Sequence, residues 1–264
     1  MSLQPPEKTR KLQETLHAKA KGSPGYRFYL LYDKVYREDV LAFAYRRCKA
    51  NGGAAGVDGQ DFEDIETDGV ERWLAELAEA LRTKAYGPQA VRRVYIPKPD
   101  GTKRPLGIPT IRDRVVQRAV GLVLEPIFEA DLLPEQYAYR PGRNALDAVR
   151  NVHSLLNTGH TEVVDADLSA YFDSIPHAEL MQAVARRISD RHVLHLIKLW
   201  LEAPVETLDE RGRPHRTTRN KDQGRGPPQG APLSPRLATR YRRRVVLGWK
   251  QRGHEQRWQA RIVT

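Results

Sequence analysis

An α+β fold is what this sequence predicts, and three kinds of stretch carry the prediction. Apolar residues recur at helical spacing through much of the chain, as in Val70, Trp73, Leu74, Leu77, Ala78 and Leu81. Between Val91 and Pro109 the pattern switches to alternation around the turn Pro99-Asp100-Gly101, which reads as a basic β-hairpin. A short β-branched strand at Val163 and Val164 then leads into Asp165, Asp167 and Asp173.

Composition narrows the class. The 264 residues are 40% hydrophobic and 29% charged, the balance of a globular protein able to bury a real core. No apolar run approaches the roughly 20 residues that span a bilayer, and the N-terminus holds no apolar signal core, so a cytoplasmic location is expected. Cys48 is the single cysteine, which excludes an internal disulfide or a cysteine zinc cluster and suits a small residue buried on a helix. The eight histidines include no HxxxH pair, and His192 and His195 suit a surface or core role on their helix better than ligation. With 44 Lys+Arg against 33 Asp+Glu the formal charge is +11, which points to a polyanionic partner. Nucleic acid ranks ahead of a membrane surface, because no basic amphipathic helix with a bulky apolar face stands out.

Taken in order, residues 1–24 are a polar N-terminal extension with a weak helix over Glu7 to Lys21, expected to stand free unless RNA or protein covers it. Phe28, Leu31 and Val35, then Val40, Leu41 and Ala44, mark two short helices. NGGAAGVDG, residues 51–59, is a turn-rich connection whose glycines suit positive φ or close backbone approach. It lacks the Lys-Ser/Thr of a P-loop. An amphipathic helix over Gly69 to Ala85 places Trp73 against the core. The hairpin follows, loaded with Arg92, Arg93, Lys98, Lys103 and Arg104. Such loading fits an anion-binding finger or a charged edge strand that resists aggregation.

Ile111, Val115, Ala119, Leu122 and Val123 give a helix that Pro126 is expected to interrupt. AYRPGRNALDAV supplies a basic loop and then a helix to about Leu156, with Asn144 as N-cap and Asp147 in its first turn. In TEVVDADLSAYFDSIPH, residues 161–177, alternation puts Asp165 and Asp167 on one face and Leu168 on the other. Tyr171, Phe172 and Asp173 follow, and Pro176 opens a helical pattern. By itself this stretch fits either a cation site at a strand end or a solvated loop with ordinary caps. Two helices (178–188 and 191–201) precede a strand pair, Val205 to Leu208 and His215 to Thr218. GPPQGAPLSPRLATRY is a rigid Gly/Pro loop entering a helix at Ser234-Pro235, crowded with Arg236, Arg240, Arg242, Arg243 and Arg244. Ala260 to Thr264 reads as the opening of a strand, and no internal repeat appears.

A basic hairpin, an acidic strand followed by aromatics, and a PQG loop leading a basic helix are together what nucleotide polymerisation asks for. Nucleotidyl transfer needs divalent cations held by carboxylates, basic groups at the triphosphate and a basic channel for the template–primer. Here the sequence resembles the reverse transcriptase domain of bacterial group II intron-encoded proteins, from about Tyr26 onward. The motifs that carry the resemblance are NGGAAGVDG, VYIPKPDGTKRPLGIPTIRDRVVQ, AYRPGRNALDAV, VVDADLSAYFDSIPH and PPQGAPLSP, in that order.

The resemblance implies a right-hand polymerase: mostly helical fingers with the basic hairpin over about 25–157, and an incomplete antiparallel palm sheet backed by helices over about 158–264. It implies that Asp167 is a catalytic metal ligand and that the Leu168 carbonyl is a second, backbone ligand for Mg²⁺. Phe172 falls at the position that excludes a 2′-hydroxyl, Lys98 and Arg104 at the triphosphate, and Gln229 at the incoming nucleotide. Asp165 and Asp173 are then supporting or structural residues. The implied partners are an RNA template, a DNA primer, intron RNA and deoxynucleotides. The family's Tyr-Ala-Asp-Asp pair would follow a stretch like ARIVT and does not occur in these 264 residues, nor do thumb, maturase or endonuclease segments. Weak or no polymerase activity is therefore expected of this truncated chain alone. A non-catalytic RNA-binding or splicing (maturase-like) module is the first rival, and a nuclease built on Asp165, Asp167 and Asp173 the second.

Overall fold

One helix is buried along nearly its whole length, and the other elements pack around it. The computed structural model describes residues 3–264 except 100, 169–170, 210 and 227–229. In chain order the first helices are α1 (Glu7–Gly22), α2 (Tyr32–Val35), α3 (Glu38–Asn51), α4 (Phe62–Asp68) and α5 (Val70–Arg82). The hairpin β1 (Val91–Pro97) and β2 (Lys103–Ile108) leads into the central helix α6 (Ile111–Glu129), then α7 (Ala145–Asn157). Next come α8 (Tyr171–Ser174), α9 (His177–Ala185) and α10 (Arg191–Leu201). The last elements are β3 (Val205–Leu208), β4 (Pro214–Thr217), α11 (Arg219–Gln223), α12 (Ser234–Gln251) and α13 (His254–Arg257). The α+β class is thus observed.

Helix α6 is the core because its buried apolar residues spread around most of its circumference: Ile111, Val115, Val116, Ala119, Val120, Val123, Leu124 and Ile127 are all buried. It also corrects an expectation, since it runs through Pro126 instead of ending there. Proline has no N–H, so the Leu122 carbonyl one turn earlier loses its helical donor. The Gln13 side-chain amide takes that place, donating to Leu122 O at 2.9 Å. The His17 ring lies 3.0 Å from Pro126 O beside it. Both residues belong to α1, which is docked and not free: Thr9, Leu16 and Ala20 are buried, and Thr9 Oγ1 donates to Asp39 at 2.8 Å. Arg187 fastens the end of α1 through Ala20 O at 2.7 Å and Ser23 O at 3.0 Å.

The sheet is mixed, in the order β2-β1-β3-β4. The hairpin and the β3–β4 pair form as the alternation predicts, both antiparallel, and β1 joins β3 in parallel through Val91↔Val205 and Arg92↔Glu206. This differs from an antiparallel palm sheet led by Val163 and Val164. Residues 161–168 are neither helix nor strand, and Val164 is 92% exposed. A strand persists only where a neighbour takes its backbone groups, and among the described residues none hydrogen-bonds to 161–167. Residues 260–264 likewise form no strand, although Thr264 exchanges backbone hydrogen bonds with Glu135 (2.9 Å) and Tyr137 (2.6 Å).

Three buried polar groups lock elements together. Asp190 accepts from the backbone N–H of Leu31 and Tyr32 (2.8 Å each) with one oxygen. Its other oxygen accepts from His192 (2.9 Å) and Val193 (3.2 Å), capping α10. Burial alone would raise this carboxyl, but the four backbone donors outweigh it and hold its pKa below the ordinary value. Asp131 lies between the buried guanidinium groups of Arg240 (2.8 Å) and Arg187 (3.4 Å). Trp200 donates to the Tyr86 hydroxyl (3.0 Å), which donates to Asp113 (2.6 Å) in the first turn of α6.

Candidate functional site

The hairpin owes its form to Pro99 and Gly101, which turn the chain between two alternating strands. Lys98 N donates to Thr102 O at 2.8 Å and Gly101 N to Lys98 O at 3.0 Å, closing the turn with Gly101 at φ +78°. The register Ile96↔Arg104 puts Arg104 near the tip, and both Arg104 and Lys98 are exposed. Neither they nor Arg92, Arg93 and Lys103 form an ion pair with a described residue.

At the other end of the hairpin, the turn-rich loop 51–59 packs against its exit. A Cβ on Gly56 would sit 2.6 Å from the Thr110 Cα, so only glycine allows this approach. Arg114 reaches from α6 to the Gly52 and Ala54 carbonyls and anchors the loop.

Two glycines ahead of α12 make close backbone approaches, Gly226 to the aromatic turn and Gly230 to the hairpin. A Cβ added at Gly226 would lie 3.1 Å from the Asp173 Cα, and Gly226 N donates to Ile175 O at 3.0 Å. Gly230 has φ +100°, and a Cβ there would lie 2.4 Å from Gly107 O and 2.8 Å from Leu106 Cδ1. Gly226 therefore lies beside Asp173, and Gly230 beside Leu106 and Gly107 of β2. Gln229 falls between these two glycines in the chain, outside the described residues.

Phe172 is half-buried, its ring edge-on to Tyr171 (5.8 Å) and to Tyr139 (6.5 Å). Tyr171 fixes this turn by donating to Ala238 O on α12 at 2.9 Å, and burial pushes its phenol up to about 12. Tyr139, in the Arg-Pro-Gly-Arg loop, holds φ +58° and lines a cleft of about 640 Å³ with Arg47, Glu125, Arg140 and Arg236.

Asp167 and Leu168 stand just before this turn, both exposed. Asp167 has no hydrogen-bond or ion-pair partner among the described residues. The Leu168 carbonyl accepts from Tyr171 N at 3.2 Å, leaving a second lone pair. The structure thus brings Gly230 to the hairpin and Gly226 to the Phe172–Asp173 turn, while Leu168 meets that turn through its carbonyl and Asp167 has no polar partner among the described residues. Among the described residues no three carboxylate, histidine or cysteine groups converge as a metal site. One exposed aspartate and a carbonyl fit Mg²⁺ only as part of a shell that water and phosphate oxygens must complete.

Four of the five arginines of α12 are engaged within the fold, contrary to what their crowding suggests, while Arg242 forms no ion pair with a described residue. Arg236 pairs with Glu125 (2.8 Å), Arg240 with Asp131 (2.8 Å), and Arg244 with Glu179. Arg243 donates to Asp131 O at 2.6 Å. Burial lowers the Arg240 guanidinium to about 10. Their acidic partners lie on other elements, which sequence order conceals. The Asp113, Asp131 and Asp190 clusters were missed for the same reason, although an aspartate just before the helical run 191–201 is itself a cap signal.

Residues 96–259 match the family model "Reverse transcriptase (RNA-dependent DNA polymerase)". Protein YkfC of Escherichia coli is 37% identical over 86% of this chain and 58% of its own length. The group II intron-encoded protein LtrA of Lactococcus lactis is 33% identical over 81% of this chain and 34% of its own. The chain therefore spans between a third and three-fifths of these relatives. A chain of the Cas6-RT-Cas1–Cas2 complex shares the fold, with a TM-score of 0.51 at 19% identity over 84% of this chain and 34% of its own.

Proposed function

Because this chain belongs to the reverse transcriptase (RNA-dependent DNA polymerase) family, with group II intron-encoded proteins among its relatives, we propose that it serves RNA-templated DNA synthesis of the group II intron type. The observation that carries the reading is the pair of close approaches, Gly226 to Asp173 and Gly230 to Gly107 of β2. These contacts tie the chain before α12 to both the Phe172 turn and the hairpin, whose basic groups have no ion-pair partner among the described residues, and this suits a site for a deoxynucleoside triphosphate.

In this reading Lys98 and Arg104 hold the triphosphate, whose oxygens supply the anionic partner that no described residue gives them. Phe172 closes on the sugar and rejects a 2′-hydroxyl by contact. Its neighbours Tyr171 and Tyr139 keep the ring from turning away. Gln229, beside Gly230 in the chain, contacts the incoming nucleotide. Asp167, with the Leu168 carbonyl, is the protein's share of a divalent-cation shell; the cation we assign is Mg²⁺, whose charge would stabilise the attacking and leaving oxygens. Residues 25–157 act as fingers and 158–264 as the start of a palm, with RNA template and DNA primer between them and intron RNA as a further partner.

The second reading, a non-catalytic RNA-binding or maturase-like module, is favoured by one observation: the described carboxylates do not gather into a metal site. Primer extension separates the two. Slow deoxynucleotide incorporation on an RNA template, lost in Asp167→Ala, supports polymerisation. Salt-sensitive RNA binding without any incorporation supports the module.

A further inference from the structure

The hairpin has two faces, and the candidate site occupies one. The register places Arg92, Val94, Ile96, Arg104, Leu106 and Ile108 on one side, and Arg93, Tyr95, Pro97, Lys103, Pro105 and Gly107 on the other. The Leu106 side chain meets the 230 position, so Gly230 and Arg104 share the first face. The second face carries a Tyr95 side chain that is 58% exposed, directly across from Pro105. Next to it, opposite Arg93, stands Gly107, which has no side chain to cover the ring. Arg93 and the Pro97–Lys103 pair lie about 7 Å to either side along the strand, two residues at about 3.4 Å each. Neither cation has an acidic partner among the described residues.

An exposed aromatic ring between two unpaired cations is the arrangement that stacks an unpaired base and meets its flanking phosphates. A lysine alone would serve edge protection; an uncovered tyrosine on the same face works against it. We propose that this second face binds a single-stranded segment of RNA outside the polymerisation site, one base stacked on Tyr95 and its phosphates on Arg93 and Lys103. The partner class rests on the reading given under Proposed function; the surface does not.

The test is equilibrium binding of a uridine 12-mer to the whole chain, across a salt series, with and without saturating template–primer. Tyr95→Ala weakens binding about tenfold and Tyr95→Phe keeps it, because stacking needs the ring and not the hydroxyl. Replacing Arg93 and Lys103 together by Gln lowers the salt slope by about 1.4, at about 0.7 per single-strand phosphate contact. Template–primer leaves the 12-mer bound. Unchanged affinity in Tyr95→Ala, an equal loss in Tyr95→Phe, or full displacement by template–primer would each overturn the proposal. If Tyr95→Ala is neutral while Arg104→Ala weakens nucleotide binding, this face fails and the polymerase reading stands. If Arg104→Ala is neutral while Tyr95→Ala weakens the 12-mer, the reverse holds.

Discussion

Gly230→Ala should damage nucleotide use far more than it damages the fold, and Gly101→Ala supplies the control. Both glycines hold positive φ, +100° and +78°, so a side chain at either adds backbone strain of about 1–2 kcal/mol. They differ in what a Cβ would meet. At Gly101 there is open space, whereas at Gly230 the Gly107 carbonyl oxygen lies 2.4 Å away. Ordinary carbon contacts begin near 3.5 Å, so the loop and β2 must part by about 1 Å. A displacement of that size in a positioning element costs roughly 100-fold in rate. Thermal melts should show similar small losses for both variants. Single-nucleotide incorporation on an RNA template should fall roughly 100-fold for Gly230→Ala and less than threefold for Gly101→Ala. Equal incorporation by the two would refute the idea that the Gly230 approach aligns the hairpin with the loop.

Other substitutions test the fold that holds this approach. Asp190→Ala should cost about 3 kcal/mol in denaturant unfolding, from a lost cap plus the unmet Leu31 and Tyr32 N–H groups, and Asp190→Asn less. Because the folded-state pKa of Asp190 is depressed, its stabilisation is complete above the unfolded value near about 3.9 and is lost as pH falls through the folded one. The wild-type advantage over Asp190→Asn should therefore shrink in acid, and an advantage that grew there would contradict the assignment. Gln13→Ala should cost about 1–3 kcal/mol in wild type but under half of that in a Pro126→Ala background, where the alanine N–H can reach the Leu122 carbonyl itself. Additive losses in that double-mutant cycle would refute the repair. Arg240→Met should cost roughly 3–5 kcal/mol in chemical unfolding by leaving Asp131 under-paired, and the more exposed Arg236→Met distinctly less.

What could be read from the sequence depended on how local its cause was. The hairpin and α7 were legible because alternation, Pro99-Asp100-Gly101 and the Asn144–Asp147 capping box act within a few residues. The run through Pro126 was not, since its repair comes from Gln13 on a helix far earlier in the chain. Helix α4 was missed although Asp61 and Asp64 form a capping box that the sequence displays. Val163 and Val164 have strand propensity but no described neighbour to pair with, so propensity was overruled. In the site, residue types pointed to the hairpin and the glycine loop. Their meeting through Gly230 and Gly226 is a tertiary contact that no spacing encodes.

The central claim, that these residues serve RNA-templated DNA synthesis, is tested most directly by deoxynucleotide incorporation onto a DNA primer annealed to RNA, with Mg²⁺, for wild type and Asp167→Ala. Template–primer affinity is measured in parallel. The account predicts slow incorporation that falls by at least about 1,000-fold in the variant, the scale of losing transition-state charge stabilisation, with affinity held within about twofold by the basic groups that remain. Undiminished incorporation by Asp167→Ala would contradict it.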